Sequence, residues 1–333
     1  MAIRLIFITA VWLVVFAARI IQFGGVDPTY RDEGSQALQP LRDSLAQTLD
    51  NNLPYPQSAI LAGILLGVDK NLPVALKNDL KATSTIHMIV VSGQNLSIVA
   101  GFLIGLAGFL GRKKALILSL GLIAFYSILT GFEVPVVRAA IMVSLAYLAQ
   151  ILGRENLSSW ILFLTGGAML LYNPNWLLSI SFQLSFLATF GVIAVAPIIV
   201  KRLSKVPSIL REDLGVTIAA QVMVLPVIVY NFGQLSLFGI VANLLILWSI
   251  PLVMVSGFLV LALGLIDNLL GTLAGLIPSI LLTYFIYIVE FFAKLPGASL
   301  QVGESGIVMW VGYYFLIGAV IWVLSRNQGD KLT

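Results

Sequence analysis

The sequence predicts an all-α polytopic membrane protein, and three observations predict it. Hydrophobic residues make up 59% of the 333 and charged residues 10%, where a soluble domain holds roughly 25% charged. Apolar runs of bilayer-spanning length, roughly 17–25 residues, follow one another along most of the chain. Basic residues recur in alternate connections between those runs. The expected architecture is about ten transmembrane helices with a short re-entrant or interfacial segment and an outer amphipathic helix.

The elements follow in order. Residues 3–22 form the first apolar run, with Arg4 near its start. It is longer than a signal-peptide core and has no clear small-x-small site after it, which predicts a retained signal anchor over 1–23. Residues 24–56 form an acidic loop carrying Asp27, Asp32, Glu33, Asp43 and Asp50 against Arg31 and Arg42. Within it Leu38, Leu41, Leu45, Leu49 and Leu53 make a helical stripe. That helix is expected to lie flat on the outer membrane surface, with packing on the bundle as the alternative. Residues 58–68 are apolar but too short to cross, hence the re-entrant or interfacial segment. The remaining runs lie near 87–110, 115–132, 135–152, 157–173, 177–200, 214–231, 236–264, 269–293 and 306–325. Pro251 divides or kinks the run at 236–264. Residues 57–326 are thus one membrane domain and 327–333 a cytoplasmic tail.

Charge sets the orientation. With the N-terminus in the cytoplasm, the inner connections hold Arg112-Lys113-Lys114, then Arg154, then Lys201, Arg202, Lys205 and Arg211, then Arg326 and Lys331. The outer turns around Asn173–Asn175 and Asn231–Gln234 carry no basic residue. This follows the positive-inside rule. The absence of Cys excludes thiolate chemistry and disulfides, and a single His, His87, argues against a metal centre. No cofactor is expected.

Polar residues inside the runs are the candidate site, because a polar group in hydrocarbon must find protein or water. Five of the six residues from Ser92 to Ser97 are polar or Gly. Either the helix breaks here, Ser92 caps a new helix and its free amides attract an anion, or one continuous helix uses Ser92, Gln94 and Asn95 as interhelical glue with Gly101-x-x-x-Gly105 for close packing. His87 and Ser92 lie five apart and point about 140° apart on a helix, a poor nucleophile–base pair, so no catalytic residue is expected. Arg138 sits one turn inside its run after Glu133 and Pro135. It either holds a phosphate, pairs with Glu133 or snorkels. Ser181, Gln183 and Ser185 place polar groups on both faces of one helix, beside a Phe182, Phe186, Phe190 stripe read as packing.

These clusters, in this order, resemble the membrane-channel (competence) domain of the ComEC family. The resemblance rests on Leu61 to Gly67, on His87-x-x-x-Val91-Ser92-Gly93, on Pro135-x-x-Arg138-Ala139, on Asn173-Pro174 followed by Phe182-Gln183-Leu184-Ser185-Phe186, and on Phe232-Gly233-Gln234 through Asn243-Leu244-Leu245 and Pro251. It covers the chain from about Leu38 to Trp322. It departs where Gln94-Asn95 stands for a frequent His and Asn173 for an Asp. The family's OB-type and β-lactamase-like soluble domains are expected to be absent. The resemblance implies a channel that carries single-stranded DNA across the bacterial inner membrane in natural transformation. The implied path residues are His87, Ser92, Gly93, Gln94, Asn95, Arg138, Gln183 and Ser185, with Lys201, Arg202 and Lys205 as a cytoplasmic basic loop. Implied partners are single-stranded DNA, the lipid bilayer, a separate DNA translocase and DNA-receptor proteins, with a homo-oligomer left open. The alternative is a transporter or scramblase of another anionic or lipid-linked substrate on the same fold.

Overall fold

The computed structural model describes residues 2–27, 38–68, 71–105, 108, 111–153, 158–302 and 306–329. Arg31, Asp32, Glu33, Arg154 and Lys331 lie outside the described residues. The described chain is almost wholly helical. Its β-structure is one antiparallel pair, β1 (Gln234–Ser236) with β2 (Ser299–Gln301), in the register Leu235 opposite Leu300.

The centre of the molecule is the helix expected to be a re-entrant or interfacial segment. α3 (Gln57–Leu66) is buried from Ser58 to Leu66. At about 15 Å long it is too short to cross a bilayer, and protein rather than an interface encloses it. Around it pack α2 (Gln39–Asn52), α4 (Val74–Ala82), α5 (Gly93–Gly105), α6 (Arg112–Leu129), α7 (Val134–Ile151), α12 (Gly239–Leu247), α13 (Ser249–Gly264) and α14 (Asn268–Ala293). The leucine stripe of α2 faces this core: Leu49 and Leu53 are buried and Leu38 and Leu45 pack against the cluster. The bundle-packed alternative therefore holds, not the membrane-surface one. The reason is that α13 and α14 offer the stripe a close-packed apolar partner.

A second set of helices leans on α7. α1 (Ala2–Gln22) docks on α8 (Ser158–Tyr172). Arg19 donates from Nε to Leu171 O and from Nη2 to Tyr172 O, both at 2.8 Å. These are the carbonyls that a helix C-terminus leaves without partners. A 3₁₀ turn, Pro174–Leu178, follows, with Asn173 accepting from the Asn175 amide. Next come α9 (Ile180–Phe190), a π-helical turn (Gly191–Val195), α10 (Ala196–Arg202) and α11 (Ser208–Phe232). α15 (Ile307–Gly329) packs Tyr314, Ile317 and Ile321 against the α10–α11 cluster.

The count of about ten spans is not supported. Among the described residues four helical runs are long and apolar enough to cross: Val134–Ile151, Ile180–Arg202, Leu210–Phe232 and Asn268–Ala293. α12 and α13 make a fifth if their 46° bend is one broken span. Apolar length did not translate into helix length. The run at 87–110 breaks before Gly93, α8 has 15 residues, and α6 opens on three basic residues. In α1 and α15 the apolar parts Thr9–Gln22 and Val308–Ile321 fall short.

Candidate functional site

The helix does break ahead of Ser92. A 3₁₀ turn covers Ile86–Met88, residues 89–92 are irregular, and α5 begins at Gly93. Gly63 of α3 and the glycine that caps its end, Gly67, seat this irregular segment. A Cβ on Gly63 would lie 2.8 Å from Ile89 O, and one on Gly67 3.1 Å from Val91 Cγ2. Ser92 and Asn95 then cap each other: the Asn95 amide donates to Ser92 Oγ at 3.3 Å, and Ser92 Oγ donates to Asn95 Oδ1 at 3.0 Å. This is the logic of a capping box. Asn95 Nδ2 also donates to Ile64 O at 3.0 Å, a carbonyl in the last turn of α3. Asn95 is thus a structural joint, 2% exposed.

Arg138 reaches this helix start from α7. Its Nη2 lies against Gly93, so close that any Cβ there would collide with it. Nε donates to Ser185 Oγ on α9 at 2.7 Å, and Nη1 contacts Met142 Sδ at 3.4 Å. Guanidinium has five N–H donors; the described residues supply a hydroxyl and a thioether, and Glu133 is not among its partners. A cation beside a helix N-terminus, which itself carries roughly +0.5 charge, is an unfavourable pairing. An anion between the two would satisfy both. Ser92, Gly93, Arg138 and Ser185 therefore form one site.

Other predicted residues fall elsewhere. Gln183 Nε2 donates to Leu177 O at 3.1 Å, finishing the 3₁₀ turn and pointing away from Arg138. The side chain of Gln94 lies outside the described residues, although its backbone is the second residue of α5. Gly101 and Gly105 have open space where a Cβ would sit, so the predicted glycine packing is not made. Phe182 and Phe186 pack at 4.3 Å between ring centroids, and Phe186 covers Gly166. Lys201, Arg202 and Lys205 are exposed at the far end of the run that carries Ser185, about 24 Å away along it. His87 sits in the turn before the break, with Nδ1 2.8 Å from Ser84 O. Two residues were missed as members of this region. Met142, one turn after Arg138, looked like an ordinary core residue. Thr217, which accepts from Asn243 Nδ2 at 2.9 Å, is a single Thr in an apolar run and gave no signal.

A helical bundle with several membrane-length runs and a helix break inside it defines a polytopic membrane protein. Residues 64–327 match the family described as competence protein, and the chain belongs to that family. It is 29% identical to ComE operon protein 3 of Bacillus subtilis over 208 residues, which are 62% of this chain and 26% of that protein. It is 31% identical over 232 residues to the uncharacterized protein YcaI of Escherichia coli, covering 63% of this chain and 29% of that protein. An uncharacterized protein of Aquifex aeolicus is 37% identical over 139 residues, 41% of this chain and 33% of its own length. The chain thus spans about a third or less of the length of each of these relatives. No solved structure matches it.

Proposed function

We propose that this chain forms a path by which single-stranded DNA enters the cell in natural transformation, as a multi-pass protein of the bacterial inner membrane with its N-terminus in the cytoplasm. The observation that carries the reading is Arg138, set on the first turn of α5 with neutral partners among the described residues. A translocating polyanion needs sites that attract phosphate without holding it, and one guanidinium plus one helix end meets that need. The exposed basic residues Lys201, Arg202 and Lys205 would receive the strand at the inner side. Membership of the competence family supports DNA as the polyanion. A separate translocase supplies the motor in this reading, with DNA-receptor proteins upstream.

The test is transformation of a naturally competent host in which this chain is the sole copy. Arg138→Leu is expected to lower uptake of labelled DNA about 100-fold at normal protein level, and Arg138→Lys to retain more of it. Undiminished uptake in Arg138→Leu would remove Arg138 from the path. Lost export of a lipid-linked anion with intact DNA uptake would favour a transporter of another anionic substrate.

A further inference from the structure

The turn that carries His87 is short of one hydrogen. Ser84 takes a left-handed φ of 53°, and its carbonyl meets His87 Nδ1 at 2.8 Å. A carbonyl only accepts, so Nδ1 carries the hydrogen, and the neutral ring presents Nε2 as a bare acceptor. The side chain facing the ring from α12 is Asn243. Asn243 is 8% exposed, and its Nδ2 is committed to Thr217 Oγ1 at 2.9 Å. Its Oδ1 is buried and has no hydrogen-bond partner. Packing holds the two elements together: a Cβ on Gly239, one turn before Asn243, would sit 3.1 Å from Ser84 Cβ and 3.2 Å from Thr83 O. The ring itself is exposed, so a proton from outside the protein can reach it.

We propose that His87 and Asn243 form a proton-binding site that joins the turn before α5 to the first half of the broken α12–α13 span. A proton from solvent adds to the Nε2 lone pair, and the new N–H donates to Asn243 Oδ1. The O–H bond of the donating hydronium breaks, water leaves, and the turn gains one positive charge. Burial pushes His87 below the usual 6.5, while the Ser84 carbonyl and then the Asn243 amide hold it up. No charged side chain of α4, α11 or α12 is among the groups acting on the ring. The folded value lies below the unfolded one, so this group's contribution to stability is complete above about 6.5 and is lost as pH falls through the folded value.

His87 is the single histidine of the chain, so ¹⁵N-imidazole NMR of the whole chain in lipid nanodiscs reports on one residue. The expected result is an Nδ1–H tautomer at neutral pH and a second proton taken up on the acid side. In Asn243→Leu the midpoint falls by about half a pH unit. Thr217→Val, which leaves Asn243 in place but releases its amide to turn Nδ2 toward the ring, lowers it by less. An Nε2–H tautomer at neutral pH, or a midpoint that moves in neither variant, overturns the proposal. If Asn243→Leu does not fold, the wild-type tautomer and Thr217→Val decide it. No DNA is involved, so this result stands apart from the uptake reading.

Discussion

Asn52 on α2 and Arg138 on α7 are both polar side chains set against glycines inside a helical bundle, and the fold finishes them differently. Asn52 donates to Thr48 O at 2.7 Å and accepts from Thr272 Oγ1 at 3.1 Å. Gly264, Gly271 and Gly275 close on it so tightly that a Cβ on any of them would collide with it. Every group there has a local partner, and the result is a joint between α2 and the α13–α14 pair. Arg138 meets one glycine, one hydroxyl and one thioether. The difference teaches how to sort polar residues in a membrane bundle. One that completes its partners holds the fold, and one left short of them, at a helix start, is open to a ligand.

This contrast can be broken or sharpened by substitution. The largest effect is expected on function: Arg138→Leu lowers DNA uptake about 100-fold, roughly the reach of a 2–3 kcal/mol charged hydrogen bond. Its unfolding free energy should move by less than about 1 kcal/mol, because replacing a buried charge by an apolar group is often neutral. Unfolding of Arg138→Leu in a thermal assay would put Arg138 in the same class as Asn52. Next is Gly271→Leu, which overpacks the Asn52 joint and should cost about 3 kcal/mol in detergent-solubilised protein. Gly93→Ala is smaller. Its methyl displaces the guanidinium, so titration with a short oligonucleotide should show affinity about tenfold lower, equivalent to about 1.4 kcal/mol. Equal affinity would mean the guanidinium relaxes freely and the site is not built. The smallest effect belongs to Asp79, away from both clusters on α4. Burial, then Glu290, raises its carboxyl, against Lys294. A raised folded value gives stability that is present when the carboxyl is protonated and is lost as pH rises through it. Asp79→Asn should therefore raise Tm slightly at neutral pH and leave it unchanged at acid pH.

Much of the candidate site was legible in the sequence. Ser92-Gly93 and Arg138 are polar where lipid would be expected, and they come together in space. Gln183 and Ser185 were both expected to line the path although they sit on different faces of the helix, and only Ser185 meets Arg138. Two residues along a helix turn a side chain about 200°, and that difference sends one to Arg138 and the other to the Pro174–Leu178 turn. Gly63 carried no visible reason, since its purpose is the backbone at Ile89, more than twenty positions away. The α2 stripe showed that a helix has an apolar face without showing what covers it.

By itself, then, the sequence determined a helical membrane protein and the chemistry of the residues around α5, while the break before that helix stayed one of two readings until the structure decided it. Hydrophobic composition and local capping are properties of neighbours along the chain, so they can be read there. The tertiary structure alone decided that α3 is the centre and that α2 belongs to the core. It also decided how many runs are long enough to cross and that Arg138 stands over Gly93. Each of these depends on which surfaces meet, and residues far apart in sequence set that together.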